Sequence, residues 1–204
     1  MAFLGFAKES PFPSRRESVG RWARRLVSGA FCCLVAALAF PGAARAAEEY
    51  EVKAGFLYNF VKYVTWPERD FAAPESPFII GVLGRDPFGK ILDQTVTGED
   101  RKIKGRLVVV KRFNSLEEIS GCHILFVPEA ERKRWPQIAP SLAGSHVLTV
   151  GEGDQFAESG GTIGFYKERN RIRFVINVEA ARRAELIIDS TMLNLARIVR
   201  DEVR

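Results

Sequence analysis

The sequence predicts an α/β fold: a single three-layer domain with a mainly parallel central sheet, a C-terminal antiparallel hairpin and flanking helices. Three observations carry this. Short continuous apolar runs, the pattern of strands buried on both faces, alternate with charged segments long enough for one short helix each. A helical apolar stripe precedes them, and after Gly160-Gly161 two runs flank a tight polar turn.

From Tyr50 to Val64, the residues Val52, Phe56, Leu57, Phe60, Val61 and Val64 recur at three- and four-residue spacing, with Glu51, Tyr58 and Lys62 opposite. That spacing is an amphipathic helix, and Pro67 after Trp66 stops it. Residues 72–77 read as loop. Phe78 to Leu83 is a strand ending at Gly84, and Phe88, Ile91 and Leu92 stand at helical spacing with Asp86 as expected cap and Pro87 at the first helical position. Further strands are expected at Leu107 to Val110, Ile124 to Val127 and Val147 to Val150. Pro136 and Pro140 divide Glu129 to Leu142 into two short helical pieces.

Thr162 to Lys167 and Arg171 to Ile176 form the expected hairpin around Glu168-Arg169-Asn170, where Asn170 tolerates a left-handed backbone. Asn177 caps a helix from Val178 to about Arg183, and Asp189 or Ser190 caps another from Ser190 to Val199.

The N-terminal stretch reads as an export signal. Arg21, Arg24 and Arg25 precede an apolar run from Leu26 to Phe40, and Ala44-Arg45-Ala46 offers small side chains to a signal peptidase. The run is shorter than the roughly 20 residues a membrane-crossing helix needs. Residues 1–46 are therefore expected to leave as a secretory signal with cleavage after Ala46, and residues 47–204 to form the domain. The Arg15-Arg16 pair is not followed by the apolar residues of a twin-arginine signal, and no lipobox precedes Cys32 or Cys33.

That division changes the meaning of the composition. Residues 1–46 hold seven Lys+Arg against two Asp+Glu, and the remaining 23 of each sign cancel. A neutral domain lacks the positive field of a nucleic-acid binder, so nucleic acid is discarded as a partner. Cys122 is then the only cysteine of the mature chain, with no internal disulfide open to it, and its place in an apolar strand favours burial. The 158 residues left are enough for a self-sufficient core.

No catalytic set is visible: there is no G-x-S-x-G, and Cys122 begins a strand and not a helix. Cys122 and His123 are adjacent on that strand and face opposite ways, so no metal site and no cofactor are expected. The turn from Gly84 to Gly89 lies where a strand feeds a helix, which makes Arg85, Asp86 and Phe88 the best small-molecule candidates. Arg169, Arg171 and Arg173 alternate along the hairpin as either a solvated face or an anion- and partner-binding stripe, with the solvated face preferred. The run Arg101 to Arg106 is read as a solvated loop. Trp66 is expected in the core and Trp135 at an interface, and both are kept as partner-binding candidates.

Lys53-Ala54-Gly55-Phe56-Leu57-Tyr58-Asn59-Phe60-Val61-Lys62-Tyr63-Val64-Thr65-Trp66-Pro67 resembles the opening signature of the YfiR-like family. Residues 84–89, 122–126, 161–165 and 171–177, the last running into 193–199, resemble that family's later blocks in order. The resemblance implies a periplasmic α/β protein, and the absent catalytic set argues that it is not an enzyme. It implies a repressor docking on the periplasmic domain of a membrane-bound diguanylate cyclase, so that its removal raises cyclic-di-GMP and biofilm formation. An outer-membrane lipoprotein that sequesters the repressor is the implied third component. Better-known members carry disulfides tied to redox control, which the unpaired Cys122 departs from. A free Cys122 or an exposed Trp135 would support a homodimer. The alternative reading is a periplasmic small-molecule-binding sensory domain centred on the Gly84 turn.

Overall fold

The computed structural model describes residues 41–98, 101–119 and 121–200, with side chains from residue 45 onward. The apolar run, Cys32, Cys33 and Arg15-Arg16 lie outside the described residues. The chain divides into Met1–Arg45 and Ala46–Arg204, and the fold is that of the second unit. Among the described residues no helix is long and apolar enough to cross a membrane.

Helix α1, Pro41–Tyr63, begins nine residues before the expected one, and Val52, expected in its apolar stripe, is exposed. Phe56 and Phe60 pack on Phe165 and Phe174 with centroids 5.3–5.9 Å apart. Tyr58, expected to face solvent, is buried, because a loop covers that side of the helix and its hydroxyl donates to the Arg101 carbonyl. The helix ends at Tyr63: Val64–Thr65 becomes β1, paired antiparallel with β8, Ile187–Ile188.

The main sheet contains β2 (Phe78–Leu83), β3 (Val108–Phe113), β4 (Ile124–Val127), β5 (Leu148–Glu152), β6 (Ile163–Glu168), β7 (Arg171–Asn177) and β9 (Arg197–Val199). Their order is β3-β2-β4-β5-β6-β7-β9, parallel except for the β6–β7 hairpin. The expected α/β class, mainly parallel sheet and C-terminal hairpin are therefore present. All four β4 residues are buried because both faces are covered: Ile124 and Phe126 join the core under α1, Leu125 and Val127 the core on the other side.

Three local expectations change. Helix α2 is Lys90–Val96, with Gly89 at φ 56° before it. Asp86 is thus not its cap but closes a turn by accepting from the Phe88 amide at 2.7 Å, and Pro87 lies in that turn. The hairpin turn is two residues long, since Arg169 and Asn170 both take positive φ, as the twist of the flanking strands favours. The C-terminal helix, α6 in chain order, covers only Ser190–Leu195: Ala196 turns extended, and Ile198 and Val199 add β9 to the sheet beside β7.

The connection after β4 is in two pieces, a 3-10 turn Glu129–Arg134 and α3, Trp135–Ser141, with Pro136 in the first helical turn and not a break. Helix α4, Asp154–Glu158, seats Phe156 so close that a Cβ on Gly151 or Gly161 would lie 2.3–2.4 Å from its ring, which demands glycine at both positions. Asn177 caps α5, Val178–Arg183, as expected, by accepting from Ala180 N at 2.9 Å. Asp189 caps α6 by accepting from Thr191 N.

Candidate functional site

β2 pairs with β3 on one side and β4 on the other, so the Gly84 turn does sit at the switch point of the sheet. The protein's own groups fill it. Arg112 donates to Asp86 Oδ2 and Asp93 Oδ1, and to the Gly89 carbonyl, each at 2.9 Å. The bond from Arg112 holds the Asp93 carboxyl below its ordinary range. A Cβ on Gly84 would meet Glu131 Oε1 at 2.5 Å. Phe88 is buried against Tyr50 and Phe126, at 5.2 and 4.8 Å between centroids. Of the three residues expected to meet a small molecule here, Phe88 belongs to the core, Asp86 is engaged by Arg112, and Arg85 alone is exposed.

A second polar cluster was not anticipated from the sequence. Lys53 is 3% exposed, with Nζ 2.6 Å from Glu49 Oε1 and 3.3 Å from Glu152 Oε1. Tyr50 donates its hydroxyl to Glu152 at 2.9 Å, and Lys167 donates to Glu49 at 3.1 Å. Burial pushes the Glu49 carboxyl up, but the Lys53 and Lys167 ammoniums outweigh it and hold it below the usual range. The cluster ties α1 to the carboxyl end of β5 beside a depression of about 300 Å³. The Glu49–Lys53 spacing of four was the one sequence signal for it. Glu152, 99 residues further on, carried none.

Trp66 lies in the core as expected and therefore presents no surface to a partner: it is 4% exposed and donates from Nε1 to the His123 carbonyl at 3.2 Å. His123 stacks on Phe71 at 4.7 Å, and its Nδ1 accepts from the Ile79 amide at 3.0 Å, so the neutral ring carries its proton on Nε2. Burial pushes its pKa down to about 4. Asp70 accepts from His146 Nδ1 at 2.7 Å. Arg106, expected in a solvated loop, instead lies 3.9 Å over the Phe71 ring and donates to the Ala73 and Ser76 carbonyls.

Trp135 is the clearest correction. It is 3% exposed, packs 4.4 Å from Phe156 and donates its indole N–H to the Ser159 carbonyl, because α3 lays it across the second core and not on the surface. Cys122 is buried in the same core, where desolvation pushes its thiol up to about 12. Neither residue offers the surface that a homodimer built on them requires.

The hairpin arginines are exposed, and Arg171 and Arg173 alternate along β7 and share a face. Arg169 occupies the turn and Arg173 lies 3.8 Å from Glu168. The most exposed large apolar side chains are Ile187 at 69% and Leu195 at 66%, with Ile198 and Tyr63 also exposed. Among the described residues no group of three or more His, Cys, Asp or Glu could hold a metal ion.

A solved structure titled as an ABC domain in complex with L-Trp from Streptococcus pneumonia matches with a TM-score of 0.51 and 15% identity. The match covers 72% of this chain and 60% of that one, less than two thirds of its length, and is a likeness of fold alone. Comparison with curated proteins finds no match. A family model described as YfiR/HmsC-like matches residues 50–197.

Proposed function

Because this chain belongs to the YfiR/HmsC-like family, at family level periplasmic regulators in diguanylate cyclase signalling, we propose that it represses a membrane-bound diguanylate cyclase. It docks on the cyclase's periplasmic domain and lowers cyclic-di-GMP output. The observation that carries this reading is the extent of the family match, from within α1 to the first residue of β9, which takes in β2 to β7 whole.

Export follows from residues 1–46 acting as a cleavable signal. For docking, the exposed apolar side chains Ile187, Leu195 and Ile198 supply desolvation energy of about 25 cal/mol per Å² covered. The exposed Arg169 and Arg171 supply steering more than affinity. An outer-membrane lipoprotein that sequesters the repressor completes the scheme.

The test is genetic and biochemical together. Deleting the gene raises cyclic-di-GMP, and the wild-type chain restores it, whereas an Ile187→Asp/Leu195→Asp variant that is exported and folded does not. Unchanged cyclic-di-GMP after deletion, with no capture of a cyclase periplasmic domain by the purified protein, overturns the reading.

A further inference from the structure

We propose that the open edge of β3 is a docking site for an extended segment of a partner protein, apolar at its centre and bounded by Asp or Glu. This goes beyond cyclase docking through the C-terminal residues, because β3 and β9 are opposite edges of the seven-stranded sheet.

The backbone geometry defines the edge. Phe78 N donates to Leu107 O and Gly84 N to Phe113 O, each at 2.8 Å, in a parallel register that pairs Phe78 with Val108. The groups of Leu107, Val109, Lys111 and Phe113 therefore point toward β2. The alternation leaves the N–H and C=O of Val108 and Val110 directed outward, and among the described residues no strand pairs with them. β9 has three residues, one of the usual ways of blunting an edge, whereas β3 has six. Its centre, Val108-Val109-Val110, carries no charge, proline or glycine. Val109 is 38% and Leu107 46% exposed, so their side chains are available, and of the two residues with outward backbone groups Val110 is half-buried and Val108 6% exposed.

Charge selects the occupant. Residues 101–112 include six Lys or Arg and no Asp or Glu. Arg106 and Arg112 are neutralised by Glu68 and by Asp86 and Asp93. Lys111 directly follows the valine run and Lys104 stands in the Ile103–Arg106 turn four residues before it, and neither makes an ion pair among the described residues. A second copy would bring the same cations to the same edge. A strand with carboxylates at its two ends and β-branched residues between them satisfies both the cations and the backbone groups.

The probe is the peptide Glu-Thr-Val-Thr-Val-Thr-Glu, with a control in which lysine replaces both glutamates, added to the protein as the cell processes it. Hydrogen exchange at the Val108 and Val110 amides should slow by at least about tenfold with the acidic peptide and not with the control. Val110→Pro removes an outward N–H without cutting a bond to β2, and should abolish the effect. Where that variant loses its native circular dichroism, Lys104→Glu/Lys111→Glu serves instead and should reverse the preference between the peptides. No slowing with either peptide, or slowing unchanged in these variants, overturns the proposal. So does a dimer of the protein alone that Val110→Pro dissolves, which would give the edge to a second copy. Loss of peptide binding with retained capture of a cyclase domain supports two separate surfaces, and a negative peptide result leaves the regulatory reading untouched.

Discussion

The Trp66 indole donates to the carbonyl oxygen of His123 at 3.2 Å, and the two rings meet edge-on with centroids 5.8 Å apart. The same carbonyl accepts from Leu148 N at 2.8 Å, so one oxygen joins the segment after α1 to the starts of β4 and β5. Trp66→Phe keeps most of the packing and leaves the carbonyl one partner, which should cost about 1–2 kcal/mol. Trp66→Ala adds a cavity and should cost about 3–5 kcal/mol. Urea denaturation of the two variants checks the difference.

His123 makes the fold acid-sensitive. Its pKa is pushed down to about 4 by burial, below the roughly 6.5 of an unfolded histidine, so the unfolded chain binds the proton first. Its contribution is fully present above about pH 6.5 and is lost as the pH falls through about 4, an order of 2–3 kcal/mol. In His123→Phe this part of the pH slope should vanish, at a constant cost of about 1–3 kcal/mol for the unpaired Ile79 amide. Denaturation midpoints between pH 7 and pH 4 decide the matter. An unchanged slope in the variant would remove His123 as the cause.

Lys53 sits between two carboxylates with almost no exposure. Lys53→Ala leaves Glu49 and Glu152 facing each other across a void and should destabilise by about 2–4 kcal/mol. Lys53→Met together with Glu152→Gln removes the ammonium and the Glu152 charge together, leaves Glu49 paired with Lys167, and should recover much of that loss. Equal loss in the single and double variants would mean that packing, and not the ion pair, holds α1 to β5.

Cys122 should be chemically silent. A thiol pushed up to about 12 and buried against the second core offers almost no thiolate at neutral pH. Alkylation of the native protein should therefore wait on unfolding, become rapid in urea, and leave Cys122→Ala indistinguishable from wild type in its response to oxidants. Fast labelling of the native thiol would count against this account.

Much of the fold was legible locally, for reasons particular residues make plain. The β4 run Ile124 to Val127 is continuous because neither face meets water. Asn177 announces its helix because a cap needs only an amide three residues away. Arg169-Asn170 announces a turn through its own backbone tolerance. The candidate sites were less legible. Glycines and Asp86 mark the Gly84 turn, but Arg112 and Glu131, which fill it, arrive from 26 and 47 residues further along the chain.

The chain by itself determined most strands of the main sheet and the helices on either side of it, the predominance of parallel pairing, and the neutrality of residues 47–204. Periodicity and caps act over a few residues, and that is enough to specify them. Only the tertiary structure decided that Trp135 is core, that Ile198 and Val199 extend the sheet and not a helix, and that among the described residues no strand pairs with the outer edge of β3. The physical reason is that exposure and strand pairing belong to two surfaces at once, and a local pattern records only one of them.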